Sequence, residues 1–176
     1  MVVAGFRAMN WSVTEIAALA AKAARGAGAP PAQAARFGQA AACHLAARRD
    51  ARSVTQALEA LPSGPIMMLP VVLDAAMAQA WDGSGGVLSL PGGMADDLVE
   101  SYLAALPCEA RLHCSETGRL SVTLDITRLR GAGICGRIDA EDAFIEDLAR
   151  LAARTFVPET EASRTGGAGA GLDDND

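Results

Sequence analysis

The chain is poor in the residue types on which most recognisable enzyme sites depend. It has one lysine, two histidines and one tyrosine in 176 residues, and aromatic side chains make up 4% of it. It contains no Walker phosphate-binding sequence, no GxSxG, no HExxH and no pair of histidines at metal-ligand spacing. The sequence therefore offers no motif for phosphate-loop NTPases, α/β-hydrolases or zincin proteases.

Cysteines are also few and are not grouped. Cys43, Cys108, Cys114 and Cys135 form no CxxC pair. His113 and Cys114 are neighbours in a predicted strand, where adjacent side chains point to opposite faces and cannot easily share a metal. We expect small, reduced, mostly buried thiols, with no metal and no cofactor.

Long hydrophobic runs are absent as well. The longest apolar run near the middle, 66–73, has eight residues and contains Pro70, whereas a membrane span needs about 20. No apolar stretch of signal-peptide length precedes Trp11. A net charge of −6 argues against nucleic acid as a partner. These absences predict a cytoplasmic protein that binds neither membrane nor nucleic acid.

The charge is unevenly distributed along the chain. Residues 1–60 carry seven Lys or Arg against three Asp or Glu, whereas residues 61–176 carry eight against eighteen. A basic first part and an acidic second part can attract each other within one chain or between two. The alternative is that surface charge simply varies along the chain.

Helix signals dominate the first part of the sequence. Ser12 and Glu15 form a capping-box pattern, and Gly26 and Gly28 mark the end of that helix. Helical spacing and prolines predict further helices at 31–48, with the Arg48 stem inward, and at 53–61, 70–81 and 98–106. A last helix is expected after a cap at Asp139. The residues expected to face inward on the first two helices are Ile16, Leu19, Ala20, Ala23, Ala24, Ala34, Phe37, Ala41 and Leu45.

Strand signals follow, with the clearest at 109–126. Apolar and polar residues alternate on both sides of a turn at Gly118, which predicts a hairpin with one buried face. Shorter strands are expected at 87–90 and 134–138. The predicted fold is α+β: N-terminal helices, then a small antiparallel sheet with a covering C-terminal helix. The expected buried hairpin residues are Leu112, Cys114, Leu120, Val122 and Leu124, and the expected exposed ones are Arg111, His113, Arg119 and Thr123.

Residues 158–176 differ from the rest of the chain. They hold one large aliphatic side chain, Leu172, and four glycines, so they cannot build a core. We therefore expect one domain at 1–157 and an acidic, Gly/Ala-rich tail at 158–176. The tail is expected to dock on basic helices of its own chain or of a neighbour. The basic residues available there are Lys22, Arg25, Arg36, Arg48, Arg49 and Arg52.

Lys22 is the one lysine among fourteen arginines, and Arg25 follows it by about one helical turn. Cations at a helix C-terminus commonly complement the helix dipole. The functional alternative is a cationic wall for a carboxylate or phosphate. We take Lys22, Arg25, Ser163 and Arg164 as candidate anion-binding residues. The candidate backbone contacts are Gly26, Gly28, Gly167, Gly169 and Gly171.

Two segments carry a resemblance. Residues 24–28 read ARGAG, and residues 163–176 read SRTGGAGAGLDDND. Together they resemble a small bacterial protein family of unknown function. The resemblance implies that both ends belong to one design, and it brings no activity, substrate or cofactor.

Two classes of function stay open. The first is a non-catalytic accessory or binding protein whose tail and basic first helices form a contact surface, for a second copy or for a partner enzyme subunit. The second is a small enzyme, or an enzyme subunit, that acts on an anionic carboxylate or phosphate metabolite. The absence of a legible nucleophile and base favours the first, since Ser163 has no evident base nearby in sequence.

Overall fold

The computed structural model describes residues 9–82, 88–90, 94–131 and 136–155; the predicted tail at 158–176 lies outside them. The helices are α1 Val13–Gly26, α2 Pro31–Ala46, α3 Arg52–Glu59, α4 Pro65–Trp81, α5 Asp96–Ala104 and α6 Asp142–Ala152, the last followed by a 3-10 turn at Ala153–Thr155. The strands are β1 Met9–Ser12, β2 Leu88–Ser89, β3 Cys108–Cys114, β4 Leu120–Leu129 and β5 Arg137–Ala140. The predicted α+β class is confirmed.

Helix α1 begins at the predicted capping box. The Ser12 amide donates to Glu15 Oε2 at 2.8 Å, and the Glu15 amide donates to Ser12 Oγ at 3.1 Å. Ile16, Ala20 and Ala23 are fully buried, as the helical spacing predicts. The first helix is therefore specified by its own local sequence.

Small residues bring α1, α2 and α6 close together. A Cβ on Gly26 would overlap the carbonyl of Leu151 in α6, and a Cβ on Gly38 would overlap the carbonyl of Ala17 in α1. Both clashes would be with backbone atoms, which cannot move aside as a flexible side chain can. Gly26, predicted as a ligand-contacting backbone position, is thus a helix-packing position here.

Helix α4 is longer than the sequence predicts. It begins at Pro65 rather than at Pro70, and Pro70 lies buried inside it. Pro65 occupies the first turn, where a missing N–H costs nothing, whereas Pro70 removes one interior hydrogen bond. Leu69 and Leu73 on either side of Pro70 pack into the core, and Pro70 itself is buried. An interior proline was mistaken for a helix start.

The hairpin forms with the predicted register, in a three-stranded sheet of order β2-β4-β3. Leu112 pairs with Val122 and Cys114 with Leu120. Val122 and Leu120 are buried, and Leu112 and Leu124 are half-buried. Cys114 is exposed, so its predicted burial is wrong, and Thr123, predicted to be exposed, is half-buried. Residues 115–119 are all exposed, so the hairpin tip extends into solvent.

Strand β5 does not join this sheet. It pairs antiparallel with β1, and Met9 lies opposite Ala140 and Trp11 opposite Ile138. Asp139, predicted as a helix cap, is an exposed strand residue, and the cap of α6 is Glu141. Helix α2 ends at Ala46, and Arg48 has φ 55°, so its stem points outward rather than into the core. No helix in the described ranges has the length and apolarity needed to cross a bilayer.

Candidate functional site

A cleft between two oppositely charged walls

A cleft of about 980 Å³ separates the α2–α3 connection from strand β5 and helix α6. Half of its lining residues are charged, whereas small-molecule pockets are lined mainly by apolar and aromatic side chains. Leu45, Ile138 and Phe144 are buried residues that contribute apolar lining. The cleft is therefore suited to a charged, extended occupant on an apolar base.

The wall at the α2–α3 connection is basic, although α3 also contributes Glu59 to the lining farther along. Arg48, Arg49 and Arg52 lie within five consecutive residues, together with Asp50. Within the described ranges, the side chains of Arg48 and Arg52 make no hydrogen bond or ion pair, and both are exposed. The Asp50 carboxylate does not pair with either of these side chains. Its Oδ1 accepts a hydrogen bond from the Arg52 backbone amide at 2.9 Å. Two guanidinium groups are therefore available to an anion.

The opposite wall is acidic. Asp139, Glu141 and Asp147 line it from β5 and α6. Arg137 is the cation on that side, and it donates to the Asn10 carbonyl at 3.1 Å. A ligand with charge of one sign will therefore bind nearer one wall than the other.

Buried support behind the basic wall

Arg49 connects the cleft to a buried polar network. Its Nη1 donates to Ser101 Oγ at 2.8 Å, and its Nη2 donates to Glu100 Oε2 at 2.6 Å. Because both nitrogens are held by α5, the Arg49 guanidinium is fixed in place. It gives the basic wall a rigid member between the two unpaired arginines.

His44 forms the centre of this network and is fully buried. Its Nε2 donates to the Asp50 carbonyl at 2.8 Å, and its Nδ1 lies 2.9 Å from Ser101 Oγ. The contact with Asp50 O fixes the sharp connection that carries the arginines. Asp97 Oδ2 lies 3.8 Å from Nε2, and the same carboxylate accepts from Ser53 Oγ at 2.8 Å. Helices α2, α3 and α5 are thereby tied together.

The Ser101 hydroxyl has one hydrogen and two acceptors. These acceptors are the Asp97 carbonyl at 2.7 Å and His44 Nδ1 at 2.9 Å, and the Ser101 oxygen also accepts from Arg49 Nη1 at 2.8 Å. His44 and Ser101 are both 0% exposed, so this serine–histidine pair has no access to a substrate. The pair stabilises the conformation of the α2–α3 connection.

Where the predicted site residues lie

Lys22 and Arg25 are exposed on α1, and neither lines the cleft. Gly28 follows α1 with φ +104°, and in the described part of the chain no atom beyond its neighbours in sequence lies within 4 Å of where its Cβ would be. The structure therefore does not bring Lys22 and Arg25 together with the arginines of the α2–α3 connection. Ser163, Arg164, Gly167, Gly169 and Gly171 lie outside the described residues.

Sequence patterns did not predict the buried network or the acidic wall. They predicted Arg48, Arg49 and Arg52 only as members of a basic surface. One sequence signal for the basic wall was available. Residues 48–52 read RRDAR and connect two helices, where a simple uncharged turn would be enough. The pairing of β5 with β1, which supplies the other wall, has no local signal.

The cysteines do not form a site among the described residues. Burial raises the pKa of the Cys43 thiol and that of the Cys108 thiol, which keeps both protonated at neutral pH. Cys114 is exposed at the hairpin tip. No group of three His, Cys, Asp or Glu residues in the described ranges is placed to hold a metal ion.

No protein family model, curated protein or solved structure matches the chain. The resemblance of residues 24–28 and 163–176 to a small bacterial family stays a prediction.

Proposed function

We propose that the protein is a non-catalytic, cytoplasmic binding protein whose cleft holds an acidic polypeptide segment against Arg48, Arg49 and Arg52. One observation carries this proposal: two exposed guanidinium groups without a described partner flank a third that the fold holds rigid. Carboxylates are bound well by such groups because each guanidinium offers several donors in one plane.

The shape and chemistry of the cleft support a polypeptide over a small apolar molecule. The cleft is large and its lining is half charged, so an occupant must supply charges of its own. An acidic segment that lies along the arginine wall places its backbone over Leu45 and Phe144, while Asp139 and Asp147 disfavour the opposite placement. The acidic wall thus contributes to the orientation of the bound segment in the cleft.

Fluorescence anisotropy with a short labelled peptide rich in Asp and Glu tests this proposal. Each charge-assisted hydrogen bond is worth about 1.5–3 kcal/mol, so the Arg48→Gln/Arg52→Gln double variant should bind at least about tenfold more weakly. Binding should also weaken as salt is added.

The matched control is Arg111→Gln/Arg119→Gln, which removes two exposed arginines from the hairpin and changes the net charge equally. It should retain wild-type affinity. Equal weakening of both double variants would mean only that the peptide responds to overall charge. An absence of binding to the wild-type chain at low salt would also reject the proposal.

A further inference from the structure

Helix α4 has an unusual composition for a surface helix. Asp74 is its one charged residue in 17, and the rest is apolar except for Gln79. A helix that is hydrophobic all round is normally buried all round. Here, however, only one side faces the core, through Ile66, Leu69 and Leu73.

The opposite side of α4 is exposed to solvent. Met68 is 38% exposed, Val71 59% and Trp81 80%, and Ala75 and Ala78 between them are also exposed. The spacing of three and four residues puts them on one side of the helix. We call Met68, Val71, Ala75, Ala78 and Trp81 the α4 face.

We propose that the α4 face is a homodimer interface, in which α4 packs antiparallel against α4 of a second copy about a two-fold axis near Ala75. In an interface with two-fold symmetry, the same surface of both copies meets in opposite directions. The side chains along that surface must therefore fit the same side chains taken in reverse order. The α4 face meets this condition, because reversal sets Val71 opposite Ala78 and Met68 opposite Trp81. Bulky side chains then face small ones, and a methionine sulfur meets an aromatic ring.

Charge also favours a second copy. Asp74 near the axis is already paired with Arg36 of α2, with 2.6 Å between Nη2 and Oδ1. In the antiparallel pair, each Asp74 that comes near the axis therefore brings its own Arg36 with it, so the two copies do not set unpaired carboxylates against each other. A lipid surface fits less well, since helices that lie on membranes carry Lys or Arg beside the apolar face and α4 has neither.

Sedimentation velocity of the full chain over a range of concentrations tests the dimer. The wild-type chain should sediment as a dimer and Val71→Glu as a monomer, because a charge would be buried at the centre of the interface. Leu129→Glu is the matched control. It also places a charge at a large exposed apolar residue, 77% exposed on β4, and should leave the dimer intact.

A second measurement tests the orientation without depending on Val71→Glu. When Val71→Cys and Ala78→Cys chains of different mass are mixed and oxidised, the mixed 71–78 disulfide should exceed either like-with-like disulfide. Peptide mass spectrometry separates these bonds from those of the native cysteines.

Three results would overturn the proposal: a monomeric wild-type chain, a dimer that survives Val71→Glu, or equal yields of the three engineered disulfides. A monomer that floats with neutral phosphatidylcholine vesicles would instead assign the face to lipid. The dimer is independent of the cleft, so a monomeric variant should still bind the acidic peptide.

Discussion

His44 shows how one side chain can organise a site without contacting a ligand. It is completely buried, and both ring nitrogens have partners, one on the α2–α3 connection and one on α5. Beside it in sequence lies Cys43, a buried thiol with no such role. The histidine therefore has a structural role, and the shape of the basic wall depends on it.

Replacing His44 with alanine should destabilise the fold by about 3 kcal/mol, because it leaves a cavity and strands buried hydrogen-bonding atoms. Chemical unfolding in urea measures the change. The control is His113→Ala, whose exposed ring makes one described side-chain hydrogen bond, to Thr123 Oγ1, and should cost within about 0.5 kcal/mol. Similar small losses for both histidines would contradict the structural role.

The thiols should differ in reactivity according to their burial. Cys114 should react rapidly with iodoacetamide in the native protein, while Cys43 and Cys108 should react slowly. Burial both blocks access and raises the pKa of each of those two thiols, which lowers the thiolate fraction. Peptide-level mass spectrometry over time resolves each residue, and denatured protein serves as the reference in which the three rates converge. Fast native labelling of Cys43 would contradict the buried position.

At the scale of elements, the helices pack most closely at their glycine residues, and these positions leave the least room for a larger side chain. Gly26→Ala should destabilise the protein by about 1–3 kcal/mol, because its Cβ would force α1 and α6 apart. Gly131→Ala is the matched control, since among the described residues no atom beyond its chain neighbours lies within 4 Å of its Cβ position, and it should change stability by no more than about 0.5 kcal/mol. Thermal unfolding compares the two. A tolerated alanine at 26 would mean that the helices are not in such close contact.

The cap of α1 should make stability depend on pH in the acid range. Hydrogen bonds from the Ser12 amide and hydroxyl hold the pKa of Glu15 below its usual 4.5, with a smaller contribution from Arg137. Because the folded-state pKa is the lower one, the stabilisation is complete above the unfolded value and is lost as pH falls through the folded value. Glu15→Gln should therefore flatten the acid side of the stability profile.

A double-mutant cycle checks that the effect comes from the cap. With Ser12→Ala in place, Glu15→Gln should change the acid dependence less than it does in the wild-type chain, because the hydroxyl contribution is gone while the amide of residue 12 still donates to Glu15 Oε2. Thermal unfolding midpoints across the acid range give the four profiles. Additive effects of the two substitutions would show that Glu15 acts apart from Ser12.

What the sequence could predict depends on how far apart the interacting residues are. The α1 cap and the hairpin register rest on neighbouring residues, so local patterns sufficed. The predictions for Pro70, Asp139 and Cys114 are wrong because residues far away in sequence decide their surroundings. Core packing holds Pro70 inside a helix, a distant strand pairs with the strand that contains Asp139, and the helices that cover the sheet do not extend as far as Cys114. The candidate site divides in the same way: the arginines of the basic wall were visible, whereas the wall facing them depends on β1 and β5.

At the scale of the molecule, basic residues form more than one surface. Lys22 and Arg25 lie on α1, and the cleft arginines lie on the α2–α3 connection. Lys22→Met should cost under about 1 kcal/mol of stability, because the side chain is exposed at the C-terminal part of a helix. It should also leave acidic-peptide affinity within about twofold of wild type, or less than 0.5 kcal/mol.

Thermal unfolding and the anisotropy titration measure the two effects separately. Loss of peptide binding in Lys22→Met, at unchanged stability, would extend the anion site to α1 and restore the interpretation drawn from the rarity of lysine. A large stability loss with unchanged binding would make Lys22 structural.

The pairing of β1 with β5 has a consequence for biosynthesis. Met9 pairs with Ala140, and the side of α1 that meets α6 is covered only when α6 is in place, whereas α2 covers another side of α1 earlier. A ribosome therefore releases the first helix long before these distant partners, and closing so long a loop is slow compared with forming the helices. The side of α1 that meets α6 stays uncovered through most of translation, which leaves the nascent chain open to holding chaperones until α6 emerges.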